Sequence, residues 1–100
     1  MTPPPEVFER EYGCTVADWL RCLPGAAAPH GLQIGAGTAR ICIGVGTGAL
    51  VLRWTVLPPR CIALVKLPRL QVGFHFDDLD GLARESFMRR FDLFMHRGGG

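Results

Sequence analysis

The chain has 100 residues, 48% of them hydrophobic and 20% charged, with 11 basic and 9 acidic side chains and a formal net charge of +2. That balance excludes an intrinsically disordered chain and fits one globular domain with one core, residues 1–100. A net charge this small gives no argument by itself for a polyanion binder, so any charge effect must come from placement.

Placement is uneven. No acid lies between Asp18 and Asp77, an interval holding Arg21, Arg40, Arg53, Arg60, Lys66 and Arg69. All the acids fall in the two flanks.

In chain order, residues 1–5 are proline-rich and read as an extended, mobile tail. Met1 to Glu6 has neither a basic start nor an apolar run, unlike a signal peptide. A helix is expected from Pro5, with Phe8 and Tyr12 on one face. Gly13 interrupts it. Thr15 then reads as an N-cap, and Val16, Trp19, Leu20 and Leu23 form one apolar stripe. Pro24-Gly25 reads as the helix stop. Residues 24–38, rich in glycine, alanine and proline, read as a long loop.

Four strands are predicted next: Ala39–Val45, Leu50–Leu57, Arg60–Leu67 and Leu70–Phe76. Each alternates with period two, and the connections at Gly46 to Ala49, Pro58-Pro59 and Pro68-Arg69 carry turn chemistry. Pairing Val45 with Leu50, Leu57 with Arg60 and Leu67 with Leu70 sorts the side chains into two faces. One is free of charge: Ile41, Ile43, Val45, Leu50, Leu52, Trp54, Val56, Cys61, Ala63, Val65, Leu67, Leu70, Val72, Phe74 and Phe76 lie on it. The other holds every base of the segment, with Val51, Ile62 and Leu64 as an apolar centre.

Asp77 and Asp78 are expected to cap a final helix over 79–97. Leu79, Leu82, Ala83, Phe87, Phe91 and Met95 line one side of it, and Glu85–Arg89 and Asp92–His96 pair at i,i+4. The ending Arg97-Gly98-Gly99-Gly100 resembles the diglycine tail of ubiquitin-like carriers. That resemblance implies a β-grasp fold with a strand before the tail. The periodicity instead predicts a helix there, with residues 98–100 as its stop and a glycine tail.

The expected fold is therefore α+β: a four-stranded antiparallel meander over about 39–76, with N-terminal helical segments and a C-terminal helix packed on it as a two-layer sandwich.

Few residues argue for chemistry. Cys14, Cys22, Cys42 and Cys61 include no Cys-x-x-Cys pair and lack the two-to-four-residue ligand spacing of zinc sites, so no metal or cofactor is expected. Ser86 is the only serine, and no nucleophile motif surrounds it or the cysteines. The glycines from Gly44 to Gly48 precede a strand, not a helix, so they read as a hairpin turn and not as a phosphate loop. The longest uncharged apolar run, Ile41–Leu52, is too short to span a bilayer. Reduced thiols and a cytoplasmic setting are the expectation.

What stands out is the basic sheet face. An apolar centre with an arginine-rich rim is the usual composition of a protein interface. The expectation is a non-enzymatic binding or assembly module that forms a homodimer or holds a protein partner through Val51, Arg53, Ile62, Leu64 and Lys66. The alternative is anion or nucleic-acid binding through Arg40, Arg53, Arg60, Lys66 and Arg69. It is the weaker reading because the face offers no aromatic platform for bases.

Overall fold

A computed structural model describes residues 2–44 and 46–98. Among these residues the chain forms β1 (Val7–Tyr12), α1 (Val16–Ala27), β2 (Gly31–Gly35), β3 (Thr38–Cys42), β4 (Ala49–Ile62), β5 (Val65–Asp77) and α2 (Gly81–Gly98). The strands make one antiparallel sheet in the order β1-β5-β4-β3-β2. The α+β class and the antiparallel meander follow the sequence. The number of strands and several boundaries do not.

The first difference is β1, where a helix was expected. Phe8 and Tyr12 share a side in a helix and also in a strand, since four residues is close to one helical turn and also two strand repeats. The sequence between them decides. As a strand, Phe8, Arg10 and Tyr12 turn inward, while Val7, Glu9 and Glu11 turn out. Glu11 then accepts two hydrogen bonds from Arg69 of β5, and Glu9 accepts one from Gln71. The residues just before β1 make contacts of their own. The Pro4 carbonyl accepts from Arg84 Nε at 2.9 Å, and the Glu6 carbonyl accepts from the Phe76 amide.

The Thr15 cap forms as expected, its hydroxyl accepting from the Asp18 amide at 3.1 Å. The helix does not stop at Pro24-Gly25 but runs through to Ala27. Gly25 serves packing there. A Cβ at that position would overlap the ring of Phe94, so its absence lets α2 approach α1. The expected loop over 24–38 is thus a helix end followed by the β2–β3 hairpin.

The largest difference concerns the prolines. Pro58-Pro59 does not turn the chain. It lies within β4, where Leu57 pairs with Arg69 and then Arg60 with Leu67, so β4 carries one extra residue. This is a β-bulge. The reversal comes later, at Ala63 and Leu64, with Ala63 at a φ of 53°. Proline is tolerated here because β1 pairs with β5 only as far as Leu70 and β3 with β4 only as far as Arg53. Beyond those points both strands are edges, and a missing N–H breaks no ladder. The first hairpin also shifts: Ile41, not Val45, lies opposite Leu50. The four-residue offset is even, so the faces survive it. Val45 itself lies outside the described residues.

Both helices cover the charge-free face. Trp19 of α1 meets the Trp54 ring at 5.8 Å, and Phe87 and Phe91 of α2 meet Phe76 and Phe74 edge-on at 6.1 and 5.8 Å. Ile41, Leu50, Leu52, Leu70 and Val72 are fully buried beneath them. α2 starts one cap later than expected: Asp80, not Asp77 or Asp78, accepts from the Ala83 amide at 2.8 Å. Leu82, placed on the apolar side by periodicity, is exposed. Asp92 pairs with Arg10 and not with His96. α2 extends to Gly98, and the remaining glycines, 99 and 100, lie outside the described residues.

Candidate protein-interaction surface

Because both helices lie on one face, the other is left open. Val51, Arg53 and Thr55 of β4 and Gln71, Gly73 and His75 of β5 alternate onto it, and none of them is buried. Val7, Glu9 and Glu11 of β1 extend it on one side, and Arg40 of β3 on the other.

Its most distinctive part is an arm. Past Arg53 and Leu70, β4 and β5 continue together without a third strand, giving the molecule a long axis of 48 Å against 30 and 22 Å. Val56, Ile62, Leu64, Val65 and Leu67 on this arm are all exposed. A two-stranded ribbon is marginal alone in water, and adjacent exposed apolar side chains on one are a mark of interaction sites. The bulge also decides where these side chains point. Alternation along β5 puts Val65, Leu67 and Arg69 on the open side. The extra residue in β4 brings Arg60 opposite Leu67 and Ile62 opposite Val65, on that same side.

The five residues expected to form one interface are therefore divided. Val51 and Arg53 sit in the body of the sheet, opposite His75 and Gly73. Ile62, Leu64 and Lys66 sit at the arm's tip, roughly 30 Å further along the strand at about 3.3 Å per residue. Lys66 pairs with Cys61, on the side away from Ile62. Val65 and Leu67, which the sequence reading assigned to the core, join the exposed set. The signal for them was present: read with one bulged residue at Pro58-Pro59, the two long strands match in length and alternation.

The five candidate anion ligands are also divided. Arg69 donates from Nε and Nη2 to Glu11 at 3.1 and 2.8 Å and from Nη1 to the Pro58 carbonyl at 3.3 Å. It therefore ties the bulge at the arm's base to β1. The bond to Glu11 raises the Arg69 pKa, and the same bond holds the Glu11 carboxyl below its ordinary value. Arg60 adds to that effect on Glu11. Arg40 and Arg53 are diagonal neighbours across β3 and β4. They and Lys66 make no ion pair among the described residues. Glu9, Glu11 and Asp77 share the open face with these bases, so it is mixed in charge where the sequence segment alone looked wholly basic.

Between Val7, Val51 and His75 the open face has a hollow of about 500 Å³, floored by Gly73. Glu9, Arg53 and Asp77 also line it, with Asp77 Oδ1 3.2 Å from His75 Nε2.

A second cavity, of about 410 Å³, lies between β1 and the two helices and is lined by Arg10, Tyr12, Cys14, Trp19, Asp92 and His96, among others. Trp19 Nε1 has no hydrogen-bond partner among the described residues and is shielded from solvent, as is Tyr12 Oη, which faces the Arg10 guanidinium. Burial pushes the Cys14 thiol up, and nearby Asp18 and Cys22 push it further, which disfavours the thiolate a nucleophile needs. Among the described residues no three His, Cys, Asp or Glu side chains gather as a metal site requires. No helix there is long and apolar enough to cross a membrane.

No family model, no curated protein and no solved structure matches the chain.

Proposed function

We propose that the protein is a binding and assembly module that associates with another protein chain through its open sheet face and the β4–β5 arm. The observation that carries this reading is the arm itself: Ile62, Leu64, Val65 and Leu67 stand exposed around its two-stranded tip, and Val56 is exposed at its base. A single copy gains nothing from extending such a ribbon into water. A partner that covers it gains about 25 cal/mol per Å² of apolar surface removed from solvent.

The anion-binding alternative is weaker on this geometry. Arg69 is committed to Glu11, and the free bases Arg40 and Arg53 are separated from Lys66 by most of the arm. An enzymatic reading has less support still, because the one half-buried cysteine beside a cavity has its pKa raised and not lowered.

The test is Leu64→Asp. Leu64 is fully exposed, so the change leaves the monomer's fold and thermal stability within about 0.5 kcal/mol of wild type. If Leu64 is covered on association, each copy loses about 1.5–3 kcal/mol of side-chain burial, and association weakens at least tenfold. Light scattering reads the outcome. An unchanged mass at matched concentrations, with the fold intact by circular dichroism, contradicts the role given to the arm.

A further inference from the structure

Among the described residues the sheet has one edge that nothing guards. It ends on β1 at one side and on β2 at the other. β1 carries Glu9, Arg10 and Glu11 and follows Pro3-Pro4-Pro5, and the free edges of the arm carry Pro58, Pro59 and Pro68. Charges and prolines of this kind keep an edge from pairing with another chain. β2, Gly31-Leu32-Gln33-Ile34-Gly35, has neither. The direction of its backbone groups follows from the ladder. The Trp54 amide donates to the Gly37 carbonyl, so Thr38 and Arg53 face each other without exchanging bonds. Thr38 therefore turns its amide and carbonyl to Gly35, and the same alternation bonds Arg40 to Gln33 and Cys42 to Gly31. Leu32 and Ile34 are left with their amides and carbonyls pointing off the sheet. Their side chains lie beside the buried Ile41 and Ala39, on the helix-covered face. Ile34 is nevertheless 48% exposed, because no described element lies beyond the edge.

The sequence of β2 specifies what fits there. It reads the same in both directions about Gln33: glycine, aliphatic, glutamine, aliphatic, glycine. We propose that the occupant of this edge is β2 of a second copy, paired antiparallel about a two-fold axis that passes through Gln33 and stands normal to the sheet. Leu32 of each copy then faces Ile34 of the other. These are the residues whose backbone groups point outward, so each of the two pairs exchanges two hydrogen bonds. An axis on Leu32 or on Ile34 leaves only one such pair within the strand. The side chains agree with the central axis. Leu32 covers the neighbour's exposed Ile34 on the helix side. Gln33 meets its counterpart on the open side, where each side-chain amide can both donate and accept. Gly31 meets Gly35, and neither brings a side chain to clash. No charge lies on the strand, so none is set against its like. The two sheets run on as one, with the helices of both copies on the same side. A strand of 5 residues is only about 17 Å long, so the contact is smaller than a standard interface. It therefore forms at higher concentration than association through the arm, whose tip takes no part in it.

The test is Gln33→Cys in a Cys42→Ser, Cys61→Ser background. Residues that face each other without exchanging bonds have Cα atoms about 4.5 Å apart, within the roughly 4.4–6.8 Å range of a disulfide. With oxidised glutathione and concentrated protein, a dimer linked 33 to 33 should form at least tenfold faster than any dimer of the Cys61→Ser chain. That chain keeps exposed Cys42, which the pairing holds away from its counterpart on the far side of both β2 strands. Equal rates overturn the proposal. Adding Ile34→Pro removes an outward amide, which the monomer tolerates because that amide faces away from β3. The linking rate should fall to that of the Cys42 chain, and an unchanged rate overturns the pairing. Amide exchange of the unmodified chain, read by NMR, supplies a second measurement. Exchange at Leu32 and Ile34 should slow as concentration rises, and exchange independent of concentration contradicts the edge contact. Leu64→Asp should leave the 33-to-33 link unaltered, so failure of the arm's role and failure of this pairing are read separately.

Discussion

Replacing Arg10 by alanine should cost roughly 2 kcal/mol and loosen β1 before any other element. β1 is an edge strand, held to the sheet by β5 alone. Arg10 is the inward residue at its middle, and it joins the strand to α2. Its guanidinium bonds Asp92 through both nitrogens, with Nη2 at 3.2 Å from Oδ2. The same group lies 5.4 Å from the Phe8 ring and 5.6 Å from the Phe74 ring. Burial is the largest single influence and works against its charge, but the hydrogen bonds and charges of Asp92 and Tyr12 together outweigh it and leave the Arg10 pKa raised. The two side chains are 36% and 43% exposed, so the pair is neither dry nor fully hydrated. A hydrogen bond to a charged group contributes about 1.5–3 kcal/mol and an exposed ion pair about 0–1, which places this pair near 1 kcal/mol. The ring contacts add about 0.5–1 kcal/mol at such a site. Urea unfolding followed by tryptophan fluorescence measures the loss, and amide exchange locates it in β1. Asp92→Asn and the double variant complete a cycle. A loss below about 0.5 kcal/mol for Arg10→Ala refutes the reasoning, as does strict additivity of the two changes.

Three further outcomes follow from single contacts. Gly25→Ala gains up to about 1 kcal/mol of helix propensity but displaces Phe94. It should therefore stabilise the protein in a Phe94→Ala background and fail to do so in the wild type, and equal effects in both backgrounds refute the packing role. Arg69 depresses the Glu11 pKa, so their contact contributes stability that is present above the unfolded carboxyl pKa of about 4.3 and is lost as pH falls through the lower folded value. The urea midpoint should drop over that acid range, and Arg69→Gln should flatten the drop; an unchanged profile counts against the pair. Timed alkylation with iodoacetamide at pH 8 should label exposed Cys42 and Cys61 before Cys14, whose thiol burial holds protonated, and before buried Cys22. Early labelling of Cys14 contradicts its placement.

Much of the fold was legible because period-two alternation survives errors in register. The first hairpin is offset by four residues from its expected pairing, yet Ile41, Leu50 and Leu52 still reach the core. Two features were not legible, for separate reasons. Phe8 and Tyr12 satisfy helix and strand spacing equally. What settles the matter is the fit of Glu9 and Glu11 against Gln71 and Arg69, side chains some sixty positions away that the local pattern does not reveal. The Pro58-Pro59 pair carries a strong turn signal. It is overridden because the arm has free edges on both sides, a property of the whole sheet. That one reassignment turned an expected four-strand patch of Val51, Ile62 and Leu64 into a body and a projecting tip. It also moved Val65 and Leu67 from the core to the surface. The basic character of the segment was legible, but its neutralisation was not, since the acids arrive with β1.

The central claim is that this open face and its arm serve association between chains. Sedimentation equilibrium of the unmodified protein from low micromolar to high micromolar concentration tests it most directly. The account predicts a mass rising toward twice the 10.9 kDa of one chain and levelling there. A mass that stays at 10.9 kDa across the range contradicts self-association through the arm.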